Sequence, residues 1–562
     1  MTLRTIRVSM AATLVSVSCI ACGSDAPGAA SDPFDILITN ARVVDGAGNP
    51  WFRADVGVRG DRIAEVGSLS GRAADRTIDA ADRVLSPGFI DMMGQSTLVL
   101  VTDPGSAESK LRQGITTYLS GEGGSPAPQS EESLNPPVID GEARSWTTYA
   151  GYFELLEGQG IPINVVHDVG LTQVRRVVLG EGDVQPTPSQ LEEMKELVRQ
   201  GMEDGAIGTS TSLIYPPAVY ATTEELIELT RVAGEYGGVY FTHMRNESHA
   251  VLEAIREAIE IGSGAGVPVH IYHLKAAGQD NWPLMTEALA LIDSARTEGM
   301  DVTADIYPYI RNGIGLGSFL HPRHYAGGTA SFLETLSDPA VRAELRREVE
   351  TTSDWENWYR HVGMDWDNVL IVSASDAVDP RVINQSVSGA AEVLGKDTWN
   401  AFFDLVQAGG VSVNPQSMNE EQKWQALRAE YVMIDTDASP VNPETSASSH
   451  PRAFGAFPRV IAKYVREDGV LSLEDAVRRM TSMAAQRLGL HDRGFVAPGM
   501  AADLVLFDPD MIRDAADFGA DAMEYAEGID YLFVNGTLVI DDGALLAAQP
   551  GRVLRRGSGA GR

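Results

Sequence analysis

Residues 222–243 read TTEELIELTRVAGEYGGVYFTH, and residues 267–273 read VPVHIYH. The first stretch predicts a helix and then a strand, because Thr222 can cap a helix, Glu225 can reach back to it, and a short apolar run follows. The second stretch predicts another strand. Helices that alternate with strands indicate a parallel sheet covered by helices. Both strands end on a histidine, which places possible metal ligands at neighbouring strand ends.

The same alternation extends through the middle of the chain. Most strand-like runs are separated by helical segments, such as residues 189–203, where apolar side chains recur on one face. Eight βα units predict an α/β fold with a (β/α)8 TIM-like barrel. A doubly wound Rossmann sheet is the competing architecture, but no Gly-x-Gly-x-x-Gly motif follows an early strand. The eight runs are Val84–Met93, Ile115–Gly121, Ile163–Val169, Ala206–Leu213, Gly238–His243, Val267–His273, Asp301–Tyr307 and Tyr431–Asp437.

Short strand-like runs flank this region and predict a second, smaller domain. Residues 35–83 and 495–548 carry these runs, and we expect them to pair in one composite β-sandwich built from both chain ends. The barrel then spans residues 84–494. Within it, residues 321–430 lose the βα spacing, which predicts an inserted helical subdomain or lid. The alternative is two barrel helices joined by long loops.

The N-terminus has the pattern of an export signal. A basic start and a short apolar run precede Ala21 and Cys22, so residues 1–22 predict a bacterial lipoprotein signal peptide with acylation of Cys22. Cleavage before Cys19 or a plain signal peptide are the alternatives. Residues 23–34 predict a linker. We therefore expect an exported protein that faces the periplasm or cell exterior and contacts the membrane only through a lipid.

The charge and the cysteine content of the chain exclude several classes of function. With 78 acidic and 44 basic residues, the formal net charge is −34, so the surface repels nucleic acid and we expect no nucleic-acid partner. Cys19 and Cys22 are the two cysteines of the chain, which excludes disulfides and cysteine catalysis in the folded part.

Metal-ligand side chains occur where the predicted strands end. In a barrel the carboxyl ends of the strands meet at one face, where catalytic residues lie. Glu122, His243 and His273 are the best trio for a hydrolytic zinc, which commonly takes three protein ligands and keeps one position for water. Asp437 is the best candidate for the general base. Lys275 and Arg452 are candidates for binding a substrate carboxylate.

Several motifs together resemble the amidohydrolase superfamily and, more closely, the N-acyl-D-amino-acid deacylases (D-aminoacylases). The likeness covers nearly the whole chain after the predicted signal peptide. It includes Ala81–Asp91 (ADRVLSPGFID), Tyr220–His243, His270–Gly278 (HIYHLKAAG), Asp305–Tyr309 (DIYPY), His450–Val460 (HPRAFGAFPRV) and Pro498–Phe507 (PGMAADLVLF).

The resemblance implies the barrel, the β-sandwich and a specific reaction. Zinc would be held by His243 and His273, with Asp437 as the acid/base. The substrate would be a small N-acyl-D-amino acid, hydrolysed to a carboxylate and a free D-amino acid. Its carboxylate and carbonyl would be met by Lys275, Tyr307 and Arg452.

Two departures from the family pattern bear on the metal. The superfamily usually has His-x-His after its first strand, where this chain has Met93 and Gln95, which are poor and weak zinc ligands. The deacylases carry a Cys after the second strand, and Glu122 aligns with that position. Because Glu is a competent zinc ligand, we expect one Zn²⁺ per chain. A dipeptidase or cyclic amidase of the same superfamily, and an inactive lipid-anchored binding protein, are the alternative functions.

Overall fold

The chain folds as an α/β protein. This computed structural model describes residues 32–130, 136–139 and 141–557. The predicted signal peptide and most of the predicted linker lie outside the described residues. Among the helices of the described ranges, none is both long and apolar enough to cross a membrane.

Strands from both ends of the described chain share one nine-stranded sheet. Val84–Pro87 joins the two groups, since it pairs in parallel with Phe34–Val43 and antiparallel with Leu504–Phe507. Apolar side chains from both segments, including Ile38 and Phe533, pack in one core. The remaining strands of this sheet are Phe52–Arg59, Arg62–Gly67, Ala74–Asp79, Ile529–Val534, Thr537–Asp541 and Ala544–Leu545.

Each of the eight predicted central runs contains a parallel strand. The strands form a three-stranded and a six-stranded sheet, and these adjoin at two places. Asp168 alone separates the last strand of the first sheet from the first strand of the second, and Met92 N lies 3.4 Å from Ile434 O at the opposite edges. The strands are Phe89–Asp91, Ile115–Ser120, Asn164–His167 with Val169–Gly170, Gly208–Ser212, Val239–His243, Val269–Ile271, Val302–Ile306 and Val432–Ile434.

The predicted run Val84–Met93 is divided between two sheets, which corrects the expectation of one continuous strand. Gly88 N donates to Asp503 O at 2.8 Å, whereas Phe89 N donates to Gly114 O at 2.9 Å. The backbone therefore changes partners at Gly88. A Cβ there would lie 2.3 Å from the side chain of Thr116, so only glycine permits this close crossing.

Helices pack against the parallel strands through their apolar faces. Thr222 caps one of them, because its side chain accepts a hydrogen bond from Glu225 N at 3.2 Å. The expected reciprocal bond is replaced, since the carboxylate of Glu225 pairs with the buried Arg175 at 2.6 Å. The principal helices are Tyr149–Gln159, Leu171–Leu179, Pro188–Asp204, Thr223–Glu235, Val251–Ala265, Leu284–Thr297, Glu420–Arg428, Arg452–Arg459, Leu473–Met480 and Ser482–Arg487.

The segment between the last two parallel strands has a core of its own. Its apolar cluster comprises residues from Ile314 to Val413 together with Ala277 and includes stacked aromatic rings. It contains helices and also a three-stranded antiparallel sheet. The prediction of a helical subdomain did not include this sheet. The final helix, Glu420–Arg428, packs into the main core instead. The elements are the strands Ile314–Gly315, Val369–Ser373 and Ser412–Pro415 and the helices Thr329–Thr335, Pro339–Thr351, Trp358–His361, Val387–Leu394 and Thr398–Ala408.

Candidate active site

Glu122, His243 and His273 meet at the carboxyl ends of three parallel strands. Glu122 Oε1 lies 2.7 Å from Nδ1 of His243 and 3.2 Å from Nε2 of His273. One ligand atom from each residue falls within 4.8 Å of the others. The structure therefore brings the three predicted metal ligands together.

The backbone beside these residues adopts unusual conformations that neighbouring carboxylates stabilise. His273 has a φ of 38°, and its backbone N–H donates to Asp305 Oδ1 at 2.5 Å. The other Asp305 oxygen lies 2.9 Å from Nε2 of His270. Gly121, just before Glu122, has a φ of 148°, which favours glycine. The contact with Asp305 thus fixes the backbone from which the side chain of His273 projects.

The electrostatics of the trio favour a cation. Burial raises the pKa of Glu122, but hydrogen bonds with His243 and His273 outweigh it and hold that pKa at about 2. Burial and Lys275 lower the pKa of His273, but Glu247 and other acidic neighbours raise it to about 10. Positive charge is thus stabilised at this point. Two imidazole nitrogens and one carboxylate oxygen are also a common ligand set for zinc, so the residues present fit such an ion.

Asp437 lies in the same cavity, where Arg452 and Gln95 hold its carboxylate. Its Oδ2 accepts a short charged hydrogen bond from Arg452, and its Oδ1 accepts one from Gln95 Nε2 at 2.7 Å. Gln95, one of the two departures from the His-x-His pattern, therefore hydrogen-bonds the proposed base. Met93, the other, is buried in an apolar cluster.

The cavity around these groups has a volume of about 370 Å³ and contains all seven predicted site residues. Tyr307 lines it, and its buried hydroxyl has no hydrogen-bond partner among the described residues. Arg452 Nε and both amide atoms of Asn414 are likewise buried and without partners in the described part of the chain.

Lys275 lies beyond the end of the strand, beside a predicted metal ligand. The strand ends at Ile271, so Lys275 reaches His273 through a turn and not along a strand face. Its Nζ lies 2.7 Å from Glu247 Oε1 and 2.8 Å from Nδ1 of His273. Its role toward a substrate carboxylate stays a prediction.

Among the cavity residues that sequence reasoning missed are Glu247 and Asn414. Glu247 lies four residues after His243, beyond the strand, and its acidic side chain so close to a predicted ligand was the available signal. Asn414 comes from the small antiparallel sheet of the inserted segment. Its approach depends on tertiary packing, and no local sequence signal indicates it.

A carboxylate and two histidines that converge at strand ends, beside a buried aspartate in an open cavity, define a metal-dependent hydrolase. Comparison with known proteins gives the family. The amidohydrolase family model matches residues 76–540. The chain therefore belongs to the amidohydrolase family, whose members hydrolyse carbon–nitrogen bonds.

Similar proteins cover almost the whole chain. N-acyl-D-glutamate deacylase of Alcaligenes xylosoxydans xylosoxydans is 34% identical, over 93% of this chain and 97% of that protein. D-aminoacylase of the same organism is 33% identical, over 94% and 98%. The structure of Bordetella bronchiseptica N-acyl-D-glutamate deacylase with zinc and a phosphonate inhibitor has a TM-score of 0.78 and 30% identity, covering 93% of this chain and 100% of that one.

Proposed function

We propose that this enzyme is an N-acyl-D-amino-acid deacylase that uses one zinc ion. The observation that carries the proposal is the convergence of Glu122, His243 and His273 beside Asp437. The similar deacylases support the substrate class. A similar D-aminoacylase is described as having one-metal activation and second-metal attenuation, which supports a single ion. We also propose that the eight parallel strands form one (β/α)8 barrel, since the two sheets adjoin at two places.

A bound zinc would supply Lewis-acid chemistry and lower the pKa of a water molecule. The residues of the chain would perform the remaining steps. Asp437 would accept the proton of the attacking water and pass it to the leaving nitrogen. Gln95 and Arg452 hold its carboxylate in place for both transfers.

The rest of the cavity supports recognition of an N-acyl amino acid. Arg452 and Asn414 have buried polar atoms that a substrate carboxylate or amide would satisfy, and the Tyr307 hydroxyl could donate to the acyl oxygen. A second cavity of about 670 Å³ shares Tyr215 and Gly315 with the first. Apolar side chains, among them Val219, Leu320 and Trp355, line part of its wall beside charged residues, so we assign to it the acyl chain or the amino-acid side chain.

The test is a hydrolysis assay with the zinc-loaded enzyme. N-acetyl-D-amino acids with acidic and apolar side chains would be compared with their L-enantiomers, with D-containing dipeptides and with cyclic amides. Release of a free D-amino acid from the N-acetyl-D series supports the proposal. Turnover of dipeptides or cyclic amides alone would instead favour the alternative enzymes of the superfamily. Binding without turnover would favour the inactive binding protein.

We further propose that the enzyme is exported and anchored through a lipid on Cys22. The support is the signal-like sequence of residues 1–22, followed by the small polar residues 23–34. Metabolic labelling with palmitate in a bacterial host tests this. Label in the wild type and its loss in Cys22→Ser would support the anchor, and label retained in that variant but lost in Cys19→Ser would move it to Cys19.

A further inference from the structure

Glu247 contacts both histidines of the candidate metal site on the side that faces away from Glu122. Its Oε2 lies 3.5 Å from Nε2 of His243, and its Oε1 lies 2.9 Å from Nδ1 of His273. The side chain is 1% exposed. The two imidazole rings stand nearly perpendicular, with centroids 4.6 Å apart, so one carboxylate spans both.

The nitrogens that Glu247 faces are the outer ones of each ring. The inner nitrogens, Nδ1 of His243 and Nε2 of His273, point at Glu122. A histidine binds metal through an unprotonated nitrogen, and the hydrogen bond at the other nitrogen decides which tautomer is present. The carboxylate of Glu247 therefore favours a proton on Nε2 of His243, which leaves the inner nitrogen of that ring available to a metal. Nδ1 of His273 is approached by both Glu247 Oε1 and Lys275 Nζ, and these two groups fix the position of that ring. Nε2 of His243 makes no hydrogen bond among the described residues, so its 3.5 Å approach to Glu247 is an ion-pair contact.

Glu247 is itself fixed from three sides. Lys275 Nζ donates to its Oε1 at 2.7 Å and supplies a buried counter-charge. Its backbone N–H donates to Glu356 Oε1 at 2.6 Å, which ties it to the inserted segment. Its carbonyl accepts from Ala277 N at 2.6 Å. These three contacts immobilise Glu247, and a carboxylate that orients metal ligands must be held in this way.

We propose that Glu247 is a positioning residue that orients His243 and His273 for metal binding, with Lys275 acting through Glu247. The inference rests on the proposed metal role of the two histidines. It also gives Lys275 a function that does not need direct contact with substrate. A partner of this kind commonly changes metal affinity by about 10-fold to 100-fold.

The test measures Co²⁺ binding and the visible spectrum of the Co²⁺ complex for the full-length chain. Glu247→Gln keeps the shape of the side chain but leaves a single oxygen to accept, and Glu247→Ala removes the group. We expect Co²⁺ affinity to fall by about 10-fold in the first variant and by up to about 100-fold in the second. The absorption bands should shift in both, because the ring orientations change. Lys275→Met should give a smaller shift in the same direction.

Glu225→Gln is the matched control, since Glu225 is also buried and paired with a cation, Arg175, but contacts neither histidine. It should keep wild-type affinity and spectrum. If Glu247→Ala does not fold, the isosteric Glu247→Gln decides the outcome. Wild-type affinity and spectrum in Glu247→Gln would overturn the positioning role alone. Failure of the wild type to bind Co²⁺ or Zn²⁺ would instead overturn the proposed metal function.

Discussion

Asp437 combines three features that suit a proton carrier. It is buried beside the metal ligands, its backbone φ is 45°, and its two oxygens accept from Gln95 and Arg452. Burial raises its pKa, although Arg452 opposes the rise. A raised pKa makes a carboxylate a better acceptor and then donor of a proton near neutral pH. Its chemistry therefore depends on its surroundings as much as on its own side chain.

Asp437→Asn should bind zinc as the wild type does but lose turnover. The amide cannot take up the proton, and removal of such a group commonly lowers kcat by about 10²-fold to 10⁴-fold. Zinc content and kcat would be measured together. Asp435→Asn is the control, because burial keeps the pKa of Asp435 well above its usual range and its carboxyl does not line the cavity. A rate within a few-fold of wild type in Asp437→Asn would show that another residue carries the proton.

Asp168 should make stability depend on pH. Burial raises its pKa from the ordinary 3.8 to about 7, against the opposing hydrogen bonds of Ser210 and Tyr272. The folded state thus holds a proton that the unfolded state releases, so this contribution is complete below about pH 4 and is lost as pH rises through about 7. Asp168→Asn should weaken the dependence of the free energy of unfolding on pH, to which one group contributes at most about 1.4 kcal/mol per pH unit. Urea unfolding at pH 5 and pH 8 measures how the free energy of unfolding changes with pH. An equal change in the wild type and in Asp168→Asn would contradict the raised pKa of Asp168.

At the scale of elements, a buried lysine joins three segments next to the site. Lys110 follows the first parallel strand and is fully buried. Its Nζ donates to Asp91 Oδ2 at 2.6 Å, to Thr436 Oγ1 at 2.5 Å and to the carbonyl of Ala438 at 2.6 Å. The ends of the first and last parallel strands are thereby held together, and Asp437 lies between two of the bonded residues.

Lys110→Met should therefore destabilise the fold and disturb the site. It leaves Asp91 buried without its counter-charge, which typically costs about 3–5 kcal/mol. The midpoint of urea unfolding measures the loss. Arg513→Met provides the comparison, since Arg513 and Glu527 form an exposed pair worth at most about 1 kcal/mol. A loss no larger than in this control would mean that Lys110 does not join the strands.

For the whole molecule, the sequence predicted the centres of the parallel strands because short strand-like runs alternate with helical segments along the chain. It placed Glu122, His243 and His273 in one site because the two histidines end such runs and Glu122 directly follows one. It did not predict the crossing at Gly88, nor the turn at Asn535 and Gly536 that separates the strands Ile529–Val534 and Thr537–Asp541. It also could not predict Asn414, because that contact depends on how the inserted segment packs.

The most direct test of the account is the metal content per chain of protein lacking residues 1–22, beside the same protein with Glu122→Ala. We predict about one zinc per wild-type chain and its loss in the variant, because Glu122 supplies the carboxylate that both histidines face. A wild-type chain without metal after zinc has been supplied would contradict the central claim and favour the binding-protein alternative.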